Sequence, residues 1–86
     1  MKFKIGDVVK EILTDKIYRV VGTKDTPYVN NAMPFNKVTN VEPPNDYIIM
    51  EYKSTDERGH YWSGTISVQE KDIIPGKLDG KTNMLE

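Results

Sequence analysis

The stretch Asp46-Tyr47-Ile48-Ile49-Met50-Glu51-Tyr52 has an almost unbroken apolar middle, and the polar run Lys53-Ser54-Thr55-Asp56-Glu57-Arg58-Gly59 follows it directly. β-Branched and aromatic residues packed that densely predict a strand, and the polar run predicts a hairpin loop. The return strand is residues 60–68. There His60, Trp62, Gly64, Ile66 and Val68 alternate with Tyr61, Ser63, Thr65 and Ser67, the pattern of a half-buried strand with the Trp62 face turned inward. Trp62 is thus expected in the core, with its indole N–H requiring a partner. Gly64 in mid-strand predicts a bulge or sharp bend, the device by which a small sheet curls.

Upstream, Gly6-Asp7 is turn chemistry ahead of Val8-Val9, so residues 4–13 read as a turn and a first strand. Thr14-Asp15-Lys16 makes a polar turn, and Ile17-Tyr18-Arg19-Val20-Val21, stopped by Gly22, returns antiparallel. Tyr18 and Val20 are expected in the core, because Arg19 on the other face is costly to bury. Downstream, Ser67-Val68-Gln69-Glu70 matches a capping box, which predicts one helical turn over 69–72 before Ile73-Ile74 closes as a short last strand. Pro75-Gly76 ends it, and residues 77–86 read as a mobile polar tail. Residues 23–46 are long for a connection. They carry Pro27, Pro34, Pro43 and Pro44 but also Tyr28, Val29, Met33, Phe35, Val38 and Val41, too apolar for plain disorder, and 37–41 can form an extra edge strand.

With 86 residues the chain has room for one core, and residues 1–76 are expected to form it. Cysteine is absent, which removes disulfides, thiolate catalysis and Cys-ligated metals and fits the cytoplasm. The opening Met1-Lys2-Phe3-Lys4-Ile5-Gly6-Asp7 has no apolar run of signal-peptide length, and nothing later approaches the roughly 20 apolar residues of a membrane span. Twelve Lys and Arg face thirteen Asp and Glu, a balance that counts against nucleic acid as the partner.

Five short strands, hairpins in series and one helical turn before the last strand make the pattern of an all-β fold, a small SH3-like five-stranded barrel with a long insert between strands 2 and 3. The opening Phe3-Lys4-Ile5-Gly6-Asp7-Val8-Val9 resembles the F-x-x-G-D-x-V start of short bacterial SH3-like proteins, including KOW-type modules. Tyr18-Arg19-Val20-Val21-Gly22 resembles their second strand, and Val68-Gln69-Glu70-Lys71-Asp72-Ile73-Ile74-Pro75 their closing acidic turn and terminal strand. The chain departs from the KOW pattern in having no glycine over 11–16. The resemblance implies an architecture and a binding-module habit without naming a ligand.

Catalysis needs converging reactive groups, and the one imidazole is His60. Ser63 lies three residues away along a strand, on the opposite face, so the two do not form a nucleophile–base pair. Asp56, Glu57 and His60 could in principle hold a metal, but two carboxylates on a turn read more simply as solvated charges. Phosphate loops and dinucleotide fingerprints are missing. The chain therefore reads as a non-enzymatic module without metal or cofactor, monomeric or weakly dimeric. Its protein or peptide partner is met through the insert and the 53–60 hairpin, with Tyr28, Phe35, Tyr52 and Tyr61 as the contact residues. Tyr52 is an edge-of-core ring if Ile48 and Met50 face inward, and exposed if Tyr47, Ile49 and Glu51 do. The alternative is RNA or DNA binding through Lys2, Lys4, Lys10, Lys16 and Arg19, with Tyr61 for stacking.

Overall fold

The computed structural model describes residues 2–31 and 36–78. Strands β1 (Val8–Glu11), β2 (Ile17–Thr23), β5 (Tyr47–Asp56), β6 (Gly59–Val68) and β7 (Ile73–Pro75) form one antiparallel sheet in the order β6-β5-β2-β1-β7. Strands β3 (Tyr28–Asn30) and β4 (Lys37–Thr39) pair as a separate ribbon. A 3-10 turn at Glu70–Asp72 precedes β7. The fold is all-β, as the alternation predicts, but the sheet is open where a closed barrel was expected. Closure would need β6 to meet β7, and β7 has three residues, ends on a proline that lacks an N–H, and pairs along β1.

One face of the sheet carries the core: Phe3, Val9, Tyr18, Val20, Tyr47, Ile49, Val68 and Ile73. Each side chain so buried contributes about 1.5–3 kcal/mol. Tyr18 and Val20 lie where their alternation places them. Phe3 meets the Tyr47 ring edge to face at 5.7 Å, and the Tyr47 hydroxyl accepts hydrogen bonds from the Lys2 and Phe3 N–H groups, both at 3.0 Å. That fastens the amino-terminal segment to β5.

Three local expectations are corrected. The first strand stops at Glu11; Ile12 and Leu13 belong to the turn, which Asp15 completes at φ +66° with its N–H bonded to the Glu11 carbonyl at 2.8 Å. The capping box is not used. Gln69, not Ser67, is the cap position and caps with no side-chain bond, while the Glu70 N–H is taken by Asp46 Oδ2 at 2.7 Å from across the chain. Most of the expected 53–59 loop is strand: β5 runs to Asp56 and β6 starts at Gly59, leaving Glu57-Arg58 as the turn. Asp56 Oδ1 accepts the Arg58 N–H at 2.8 Å, which holds that turn.

The insert yields the extra strand expected within 37–41, as β4, but it pairs with β3 rather than with the main sheet. Its base is pinned at Gly22, where a β-carbon would lie 3.1 Å from Ile48 Cβ and 3.3 Å from the Tyr28 N. Ile48 is buried on the face away from the core.

Candidate binding surface

The register of β5 against β6 places the functional side chains. Met50 faces Thr65 and the next pair is Tyr52 with Trp62, so β6 spends one more residue than β5 between them, at Ser63-Gly64, where Gly64 sits at φ +84°. An extra residue in one strand reverses the in–out order of everything beyond it. Trp62 is thereby carried from the core face to the outer face. It is half-buried there, a correction to its expected place in the core, and the expected bulge at Gly64 is itself the cause. Tyr47 and Ile49 face inward, so Tyr52 lies on the outer face beside Trp62, where it is half-buried rather than exposed.

Three rings meet on this outer face. Tyr52 contacts Trp62 with centroids 5.3 Å apart and His60 at 5.9 Å, and His60 lies 6.4 Å from Trp62, all edge to face. Thr55 ties the group together, its Oγ1 bonded to the Tyr52 hydroxyl and to His60 Nδ1, the latter at 2.8 Å. From the neighbouring strand β2, the Arg19 guanidinium lies over the Trp62 ring at 4.9 Å. Arg19 also lines a shallow depression with Ile5, Val21, Pro27, Tyr28 and Val29. Arg19 is therefore the residue common to the base of the insert and the aromatic ribbon. Among the described residues no carboxylate pairs with Arg19, whereas Lys10, Lys16, Lys24 and Lys53 are within 3.2–3.5 Å of Asp15, Glu51, Asp46 and Glu51 respectively.

The contact residues expected from sequence are thus only partly brought together. Tyr28 lines the same depression as Arg19, and Tyr52 contacts the Trp62 ring over which Arg19 lies. Tyr61 is exposed, but it projects from the side of β6 opposite His60 and Trp62 and does not join them. Phe35 lies outside the described residues. Of the basic set, Lys10 and Lys16 are in ion pairs, Lys2 sits 5.6 Å from the Phe3 ring, and Lys4 is exposed next to the turn that opens β1. Sequence reasoning missed His60, Trp62 and the stacking role of Arg19; the signal available was Gly64.

Two further polar clusters surround the core. Tyr47 donates to Glu70 Oε1 at 2.7 Å, and that bond, with the Lys2 N–H, holds the Glu70 carboxyl below the usual range, while burial and the same carboxylate push the Tyr47 phenol up. Asp46 is also held low, first by the Glu70 N–H and then by Lys24. Burial first, and then the neighbouring Glu11 carboxylate, push Tyr18 up to about 12. Among the described residues no three His, Asp or Glu side chains are grouped to hold a metal, and no helix is long and apolar enough to cross a membrane. Comparison with known proteins found no matching family model, no matching curated protein and no matching solved structure.

Proposed function

We propose that the chain is a non-enzymatic protein- or peptide-binding module that receives an extended partner segment across Arg19, between Tyr28 of the insert and the Tyr52–Trp62 pair of the β5–β6 ribbon. The observation that carries this reading is the position of Arg19, stacked on Trp62 and lining the Tyr28 depression without a carboxylate partner among the described residues. A guanidinium so held keeps N–H donors for a carbonyl or carboxylate of the partner, beside rings that supply apolar area at low entropic cost. The Thr55 hydroxyl does meet the His60 imidazole, but it is also bonded to Tyr52 on an open surface, an arrangement suited to holding the rings still rather than to activating a nucleophile. Five sheet strands, a 3-10 turn before the last and an insert after the second support an SH3-like order of elements, carried on an open sheet rather than a closed barrel. The absence of cysteine supports a cytoplasmic setting, and the resemblance a bacterial one. Nucleic acid is the weaker reading, because two of its five proposed contacts are already neutralised by Asp15 and Glu51.

Selection of a random peptide-display library on the immobilised protein tests the reading. Recovered peptides should lose roughly tenfold or more in affinity with Arg19→Ala and with Trp62→Ala, and keep it with Leu13→Ala on a distant turn. Peptides indifferent to Arg19 and Trp62, or no peptides but salt-dependent binding of a single-stranded RNA, would overturn it.

A further inference from the structure

The two edges of the main sheet are unlike. β7 is three residues long and ends at Pro75. β6 is ten residues long, and its sequence Gly-His-Tyr-Trp-Ser-Gly-Thr-Ile-Ser-Val contains no Lys, Arg, Asp, Glu or Pro, although 29% of the chain is charged. Sheet edges are ordinarily protected by charge, proline or shortness, and β7 uses the last two. β6 uses none of the three; the Gly64 bulge and the second register shift, between Tyr52 and Ser54, both lie before Thr65 and leave Thr65-Ile66-Ser67-Val68 regularly paired beside the core. Among the described residues no strand lies along its outer side. Ile66 pairs across β5 with the fully buried Ile49, yet it is itself 40% exposed, so the inner layer of the sheet ends on an uncovered apolar side chain.

We infer that β6 pairs antiparallel with β6 of a second copy, extending the sheet through a twofold axis into a weak homodimer. The occupant follows from the sequence of the edge. Centred on Ile66, such a pairing sets Ile66 against its own symmetry mate over the core and Thr65 against Ser67 on the outer face. This gives an apolar pair and a hydroxyl pair with no charge opposed to its like. The short, proline-ended β7 offers a second molecule no comparable template, so association stops at two copies instead of continuing edge to edge. A strand pair alone buries less than the ~1,000 Å² of a stable interface, which makes the dimer concentration-dependent.

Sedimentation velocity over a wide concentration range, with amide hydrogen exchange along β6 at both extremes, tests the inference. The wild type should pass from monomer to dimer as concentration rises, with the amides of 65–68 gaining protection in step. Ile66→Lys, which places two ammonium groups at the axis, should remain monomeric with an unchanged circular dichroism spectrum. Ile66→Thr keeps a β-branched residue should the lysine prevent folding, and it should weaken association at least tenfold. Leu13→Ala, at a side chain 90% exposed on the β1–β2 turn, should change nothing. A wild type monomeric throughout, a dimer indifferent to Ile66, or a dimer lost with Leu13 would each overturn the inference. So would a monomer that takes up an unrelated extended peptide along β6, which would assign the edge to a foreign strand. None of these outcomes depends on Arg19 or Trp62.

Discussion

Tyr47 and Glu70, twenty-three residues apart, share a 2.7 Å hydrogen bond that joins the start of β5 to the turn before β7. The same phenolic oxygen accepts the Lys2 and Phe3 N–H groups, so one buried side chain fixes three segments that are remote in sequence. Tyr47→Phe leaves the ring in place and removes all three bonds. The buried Phe3 N–H then has no replacement partner in view, whereas Lys2 N–H keeps Glu70 at 3.1 Å. The expected cost is about 1–3 kcal/mol. A urea titration should show a lower midpoint with an unchanged slope.

Acid should destabilise the fold through the same cluster. Glu70 is held low chiefly by the Tyr47 hydroxyl and Asp46 chiefly by the Glu70 N–H. A carboxyl whose folded pKa is depressed stabilises the fold above its unfolded pKa, about 4, and that contribution disappears as pH falls through the lower folded value. Thermal midpoints should therefore decline progressively below about pH 4, and the decline should be shallower in Glu70→Gln, whose amide does not titrate. Parallel acid profiles for the two proteins would remove Glu70 from the explanation.

Much of this architecture is legible in the sequence, because β2, β5 and β6 announce themselves by β-branched and aromatic density, and Tyr18 and Val20 alternate cleanly into the core. Gly64 was legible as a bulge, but the consequence of a bulge is a change of parity, and simple alternation carried through it sends Trp62 to the wrong face. Asp46 capping Glu70 could not be read locally, since the partners are separated by twenty-four residues and Ser67-x-x-Glu70 offered a nearer pattern. Arg19 was legible as a cation that avoids the core, not as the neighbour of Trp62. That contact depends on the register of three strands at once.

Two glycines should respond to the same substitution for different physical reasons. At Gly64 a β-carbon meets nothing within 4 Å, but φ is +84°, so Gly64→Ala should cost about 1–2 kcal/mol through backbone strain, and Gly64→Asn less. At Gly76 a β-carbon would lie 2.8 Å from the Val9 carbonyl carbon and 2.9 Å from the Lys10 nitrogen, backbone atoms that cannot step aside. Gly76→Ala should cost about 1–3 kcal/mol by prising β7 from β1, and Gly76→Asn no less. Equilibrium denaturation of the four variants separates the cases: asparagine rescue at both positions, or at neither, would contradict this division.

Tyr18 should be a late-ionising phenol. Its hydroxyl donates to Glu11 Oε1 at 3.2 Å, and burial together with that carboxylate raises it to about 12. Because folding favours the protonated phenol, its stabilising effect is complete below the unfolded value of about 10 and is lost as pH rises from there to about 12. Spectrophotometric titration should show a phenolate component near the upper end of that interval that is missing from Tyr18→Phe. A Tyr18→Phe curve retaining that component would assign it to another ring.

Trp62 is the one tryptophan, so its fluorescence reports the proposed surface without labelling. The Arg19 guanidinium covers part of the indole, and its aromatic neighbours among the described residues are Tyr52 and His60. Arg19→Ala should shift the emission to longer wavelength as water replaces the guanidinium, with a stability loss of about 0.5–1 kcal/mol. Arg19→Lys should fall between the two, since an ammonium keeps the charge but not the flat stack. The comparison with Tyr28→Ala is the more telling one. Among the described residues no ring contact joins Tyr28 to Trp62, and Arg19 is the residue common to the Tyr28 depression and the Trp62 stack, so a change in Trp62 emission on removing Tyr28 points to transmission through the position of Arg19. An emission spectrum that moves with Arg19 and Tyr28 alike establishes insert and ribbon as one coupled surface, whereas a spectrum deaf to Tyr28 reduces the surface to the ribbon alone.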